Sequence, residues 1–435
     1  MGAFPFLLLG LLPVLAFGQW QGSYAVSART EAAGRTPYAQ DLLTAAHSVD
    51  VEFFPMAQTE ASWGAWHFSG VYAPTLRMRE VNAGPVEYED GRTALGRRFE
   101  HYHRLAWLSD YRREGSIRPY MRQVFSYGRM DLLAAFTGLP SPPGAPLNPR
   151  PIPSQNVGRF VLEDVVLETE TGMDFPLSRR GVLTAFVGYF WGGGLTPQAR
   201  EVVSMARMPL GGVRAQWQLT SKDTLMLSLA SRYGFFLSHQ AEAGALEFYK
   251  TWRRSLDEQS TLELSAGASA YGGRPAPLGP DYPGTLWEQK APLGWQASPY
   301  AALHFLRHFS WGGQGAAAEL AGKVAPFVDR YMALAYERVE ASINLRWWWE
   351  DVYANAHGGL GRGLGLKAEQ LSMTAYFAEA AIGYRVSSHF RAELRGSYAS
   401  LPWARLGGEA GESPFLRTSQ WRAALGLTLE YSGSY

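Results

Sequence analysis

Apolar and polar residues alternate along most of the chain with a period of two, the spacing of a strand that presents each face to a different environment. Over 19–29, Trp20, Gly22, Tyr24, Val26 and Ala28 share one face, with Gln21, Ser23, Ser27 and Arg29 on the other. In "WHFSGVYAPTL", Trp66, Phe68, Gly70, Tyr72 and Leu76 oppose His67, Ser69 and Thr75. The clearest unit is "GVRAQWQLTSKDTLMLSLASRY". There Val213, Ala215, Trp217 and Leu219 alternate with Arg214, Gln216, Gln218 and Thr220, and Ser221–Asp223 turns the chain before Leu225, Leu227 and Leu229 resume the apolar face. That is a β-hairpin.

The pattern predicts strands near 20–29, 43–54, 62–78, 95–109, 115–130, 159–172, 178–192, 203–220, 224–237, 245–256, 260–272, 293–307, 313–327, 334–348, 352–361, 371–387, 389–400 and 420–432. The count is about eighteen, with sixteen the alternative because 352–361 is the weakest of them. Most are at least as long as the roughly 9–11 residues with which a tilted strand crosses a bilayer. Short connections, near 110–114, 173–177, 221–223, 257–259, 308–312, 349–351 and 387–388, alternate with longer ones. A barrel with short turns at one rim and long loops at the other has that parity, and a soluble sandwich has no reason to keep it. The expected fold is therefore all-β: a single transmembrane antiparallel β-barrel with its apolar face toward lipid. A secreted soluble β-protein is the competing reading.

Composition changes this picture in a few places. Aromatics are 14% of 435 residues, with 15 Trp and 22 Tyr. On the apolar face Trp20, Trp66, Tyr72, Tyr189, Trp191, Tyr233, Trp347, Tyr384 and Tyr431 fall often near strand ends, as interface girdles do. There is no cysteine, which excludes disulfides and thiolate chemistry. The net charge of +1 gives no electrostatic case for nucleic acid. "FPFLLLGLLPVLAFG", closing on Ala16-Phe17-Gly18, reads as a secretory signal peptide over 1–18, with 19–435 as the mature barrel. No basic residue precedes its apolar core, which departs from the usual pattern. A Pro-rich stretch, "LPSPPGAPLNPRPIP", lies within the third long connection, a loop spanning 137–158, and is the natural plug or constriction.

The final strand resembles the C-terminal signature of bacterial outer-membrane β-barrels. Gly426, Leu429, Tyr431 and Tyr435 occupy the glycine, the two apolar or aromatic places and the terminal aromatic, while Ala424 stands where a polar residue is usual. The resemblance covers architecture and names no close family. It implies an integral protein of the bacterial outer membrane, lipid around the barrel, and recognition of the last strand by the barrel-assembly machinery. The last strand is also expected to pair with the first.

Motifs for chemistry are sparse, and the chain carries no recognisable catalytic or cofactor-binding constellation: no G-x-S-x-G, H-E-x-x-H, P-loop or calcium loop. The expectation is therefore not an enzyme and no cofactor. "GGLGRGLGL" at 358–366 superficially resembles a phosphate loop and reads instead as a flexible loop. His101 and His103, two apart, suit either a metal or pH-sensitive patch or a plain pair of lumen or interface histidines, and no third ligand is identifiable. Glu163, Asp164, Glu168, Glu170 and Asp174 form an acidic run that either faces an arginine-rich wall or binds cations, or is simply a solvated strand end.

The polar face carries the functional reading. Turned inward, it lines a lumen with Arg214, Arg232, Arg338, Arg346, Arg385, Arg391, Arg395 and Arg422, opposed by Glu263, Glu340, Glu379, Glu393 and Glu430. Eight strands can be filled by side chains, whereas sixteen to eighteen leave an aqueous channel unless plugged. Two functions follow. The first is a porin-like channel for hydrophilic solutes with a slight preference for anions. The second is the outer-membrane piece of a polysaccharide export or surface-assembly machine with a periplasmic partner. A purely structural barrel is a third.

Overall fold

The computed structural model describes residues 21–35, 47–82, 96–131, 161–197, 200, 204–274, 294–329, 333–364, 374–404 and 415–434, apart from 114 and 239. In order these form β1 (Gln21–Arg35), β2 (His47–Trp63), β3 (Trp66–Tyr72), β4 (Thr75–Asn82), β5 (Gly96–Tyr111), β6 (Arg118–Asp131), β7 (Val161–Ser178), β8 (Gly181–Gly194), β9 (Ala206–Gln218) and β10 (Asp223–Phe236). There follow β11 (Ala241–Ser255), β12 (Ser260–Arg274), β13 (Gln296–Trp311), β14 (Gln314–Asp329), β15 (Leu334–Trp349), β16 (Val352–Leu364), β17 (Thr374–Arg385), β18 (Phe390–Ala404) and β19 (Phe415–Ser434). Strands adjacent in the chain pair antiparallel, except that β3 and β4 each pair with β2 and β5 instead of with one another, and β19 pairs with β1 over Ser23–Arg35, so the sheet has no free edge.

The barrel has eighteen strand positions, because β3 and β4 are two halves of one strand. Both pair with β2 and with β5 in a single continuous register. The break falls at Pro74, which has no N–H for the ladder, while Ala73 still donates to the carbonyl of Arg104 at 2.9 Å. Register places Pro74 opposite Pro55, and β2 nevertheless runs through Pro55, which pairs with Ala28. The expected break at 55–61 is thus corrected: the chain turns at Gly64–Ala65, where Gly64 takes a φ of 58°.

Two other expected breaks are strand in the structure. The turn expected at 173–177 lies at Arg179–Arg180, because Gly172 is a ladder residue whose missing side chain makes room for the Tyr120 ring, 2.6 Å from where a Cβ would stand. The flexible loop expected at 358–366 is in β16 as far as Leu364. Its inward glycines are covered by large neighbours: a Cβ on Gly361 would lie 2.6 Å from the Arg338 guanidinium, and one on Gly359 would lie 2.8 Å from the Phe377 ring. The weakest predicted strand is therefore a full member of the wall.

Alternation sets the two faces. On β19, Trp421, Leu425, Leu429 and Tyr431 are 57–62% exposed, while Arg422, Ala424 and Thr428 between them are buried at 2–9%. Val187, Leu264, Ile343, Ile382 and Leu394 continue the exposed apolar surface round the barrel. So continuous an apolar belt is stable only in lipid, and a closed sheet satisfies every ladder group that lipid cannot. Successive connections alternate between the two rims, although the one between β10 and β11, 237–240, is as short as the turns at the opposite rim. Tight turns, among them Gly312–Gly313 with both φ positive, lie at the rim that holds Gln21 and Ser434, and the longer connections lie at the other. The segments 1–18 and 137–158 and Tyr435 fall outside the described residues.

Candidate functional site

The thirteen charged residues expected to line the lumen all lie on the inner-face register of their strands. They fall into two groups, and sequence reasoning found only part of each.

The first group surrounds the seam where β1 meets β19. Arg395 lies 3.4 Å from Glu379 and 2.9 Å from Glu393. Arg29 pairs with both Glu393 and Glu31, and Arg422 with Glu31 and Glu52, the latter at 3.2 Å. Arg77 carries the chain on, 3.0 Å from Glu52 and 2.8 Å from Glu100. Five carboxylates thus alternate with four arginines from β17 round to β5. Tyr353 donates its hydroxyl to Glu393 at 3.0 Å, and Arg391 pairs with Glu430 below. Glu52, Arg77 and Glu100 are at most 2% exposed.

Gly426 makes this route possible. It sits in register between Glu31 and Glu393, and a Cβ there would lie 3.2 Å from the Arg29 guanidinium that bridges them. The glycine of the C-terminal pattern is thus the space through which an arginine crosses the closing strand. Arg29, Glu31, Glu52, Arg77 and Glu100 were not singled out from sequence. Period two could have found them, since each alternates with an outward residue such as Thr30, Val51, Phe53, Met78 or Phe99.

The second group lies across the barrel on β9–β15. One register row reads Arg214, Ser228, Tyr249, Gly267, Tyr300, Ala325, Arg338. The Tyr249 and Tyr300 rings stack face to face over Gly267, with centroids 4.1 Å apart and planes within 4°. Lys323 stands 5.4 Å from the Tyr300 ring. A cavity of about 680 Å³ opens here, lined by Arg214, Arg232, Arg253, Lys323, Arg338, Glu263 and Glu340 among others. Arg232 pairs with Glu247 at 3.2 Å and Arg338 with Glu340 at 3.1 Å. Toward the turn rim, Glu319 takes His304, Asn344 and the half-exposed Arg346. Arg385 lies at the same rim of β17.

The other sequence candidates are placed as follows. His101 and His103 share the outward register of Phe99 and Leu105, so the lumen reading of the pair is corrected. The Tyr72 hydroxyl lies 2.8 Å from His103 Nδ1, and among the described residues no group of three metal-ligating side chains forms. The acidic run is divided by alternation: Asp164, Glu168, Glu170 and Asp174 face inward and Glu163 outward. Tyr120 donates to Glu170 at 3.1 Å and Thr184 to Asp174 at 2.7 Å, so these acids meet hydroxyls more than arginines.

A model of the EpsX exopolysaccharide export family matches residues 15–433. The chain belongs to that family. No curated protein sequence matches it. Among solved structures it is similar to OccK7 (OpdD) of Pseudomonas aeruginosa, with 12% identity and a TM-score of 0.43 over 96% of this chain and 100% of that one. It is also similar to OccAB1 of Acinetobacter baumannii, with 11% identity and a TM-score of 0.44 over 94% and 96%. A third is Pseudomonas aeruginosa OpdK with vanillate, with 11% identity and a TM-score of 0.42 over 95% and 99%. Likenesses of this size say nothing about cargo.

Proposed function

We propose that this barrel is an outer-membrane conduit for hydrophilic cargo, and that its cargo is an exopolysaccharide on its way to the cell surface. The family match across the chain carries this reading. The geometry is compatible with it: an eighteen-strand wall encloses more space than side chains fill, and its inner face is charged and hydroxyl-bearing. Export through a leader over 1–18, insertion by barrel-assembly machinery that reads the last strand, and a periplasmic export partner at the turn rim belong to the same proposal. A polymer synthesised inside the cell must be handed across the periplasm, and the short turns leave that rim open to a docking protein.

Deletion of the gene tests the reading. Surface polysaccharide is expected to fall severalfold and to return on complementation, while wild-type levels after deletion would overturn the export role. Planar-bilayer recording separates passive permeation: a purified barrel that conducts ions while its deletion leaves polymer output intact is a porin for small solutes.

A further inference from the structure

The basic wall on β9–β15 differs from the seam in carrying more cations than acids. Arg214, Arg253 and Lys323 have no carboxylate within ion-pair distance among the described residues. Glu263, in register with Arg253, also lacks an ion pair, so two positive charges remain unbalanced on the wall of one cavity. At the seam, by contrast, each of Arg29, Arg77, Arg395 and Arg422 meets two glutamates.

The surroundings of these cations suit a sugar chain. Thr251 and Ser265 bond to each other at 2.8 Å between Lys323 and Arg253, and the Tyr249–Tyr300 stack lies in the next row. Gly267, Ala302, Ala321 and Ala325 keep the wall low around the rings. Hydroxyls and ring edges offer hydrogen bonds and apolar contact to a pyranose, and guanidinium and ammonium groups offer charge-assisted bonds to an oxyanion. Adjacent strands are about 4.8 Å apart, so Arg214 on β9 and Lys323 on β14 stand roughly 24 Å apart along the wall. Cations spaced singly at such distances fit monoanionic carboxylates distributed along a chain better than a phosphate dianion, which wants several donors converging on one point.

We infer that this wall is a binding subsite for carboxylate-bearing sugar units, so that the chain handled here is an acidic polysaccharide. The inference rests on the export reading for the identity of the cargo, while the subsite itself is testable without export. The experiment is calorimetric titration of the refolded full-length barrel in detergent with hexagalacturonate and, separately, with maltohexaose, a neutral chain of equal length. The variant is Arg214→Gln with Lys323→Gln. Both side chains border open space and neither has an ion pair to lose, and compact electrophoretic mobility before heating reports that the barrel has folded.

The acidic oligosaccharide is expected to bind at least tenfold more tightly than the neutral one, and the double variant to lose most of that difference. Equal binding of both oligosaccharides, or an acidic preference that survives in the variant, would overturn the subsite. Should the double variant fail to fold, Lys323→Gln alone with 0.5 M salt as the second arm decides it: the preference must fall in both, and persistence in either refutes it. A deletion strain with normal polymer output would sink the export reading and leave these binding results standing.

Discussion

Two stretches of the same inner wall use charge in opposite ways. From β17 round to β5, Glu379, Arg395, Glu393, Arg29, Glu31, Arg422, Glu52, Arg77 and Glu100 pair with one another in an unbroken chain and are largely withdrawn from water. From β9 to β15, cations border a cavity and two of their charges are unmatched. Both stretches come from one period-two pattern with polar residues inside, so the pattern does not distinguish them. What differs is the residue beside each charge. At the seam the neighbours in register are other long charged side chains that reach one another across Gly426. On the basic wall Arg214 stands between Thr184 and Ser228, and Lys323 and Arg338 each have an alanine, Ala302 and Ala325, on one side, all too short to cover a charge. The seam is built for closure, the basic wall for contact with something that passes.

The sharpest way to break this contrast is one substitution made on both sides. Arg77→Met keeps the length of the stem but strips a cation from between Glu52 and Glu100 in a site closed to water. Removing one partner of a buried pair costs about 3–5 kcal/mol, because the remaining charges stay buried. Arg346→Met removes a half-exposed arginine whose partner Glu319 keeps His304 at 3.1 Å and Asn344 at 3.1 Å. An exposed pair of that kind is worth about 0–1 kcal/mol. Guanidinium unfolding in detergent, followed by tryptophan fluorescence, should show a large loss for the first and a small one for the second. Equal losses would remove the distinction between a closing seam and an open wall.

Most of the architecture was readable in the sequence, and the reason is geometric. A strand that crosses lipid must show an unbroken apolar stripe, so Trp421, Leu425, Leu427 and Leu429 mark their face without knowledge of any neighbour. Errors arose where a local turn signal was overridden from outside the strand. Gly172 and Gly361 resemble breakers in sequence and are spaces for Tyr120 and Arg338 in the fold; Pro55 stays in the ladder with Ala28. The candidate site was legible in part for a similar reason. Period two places Arg214, Arg338 and Arg422 inside, but which glutamate each one meets depends on register between strands distant in sequence. Glu31 and Arg422 are 391 residues apart and touch because the barrel closes. That His101 and His103 point outward shows only once their strand is set in register, His101 beside Leu76 and Arg129 and His103 beside Tyr127.

The smallest effect is expected in the turns, where neither wall is involved and charge works only locally. Asp257, between β11 and β12, accepts from the backbone N–H of Gln259 at 2.8 Å and from the Ser260 hydroxyl at 3.1 Å. These donors, the Gln259 amide foremost, hold its carboxyl below the ordinary 3.8. A carboxylate whose pKa is depressed by folding stabilises the fold above the unfolded value and loses that contribution as pH falls through the folded one. Asp257→Asn should therefore lower the unfolding midpoint slightly at neutral pH, with the difference from wild type closing below about pH 4. The turn lies at the foot of the basic wall, so the same variant also measures how far that wall depends on its rim. If the hexagalacturonate preference is unchanged while the midpoint shifts, the subsite is held by the strands themselves. If binding falls along with the midpoint, the cations of β11 are positioned by the turn, and the division between the two walls extends to the way each is anchored.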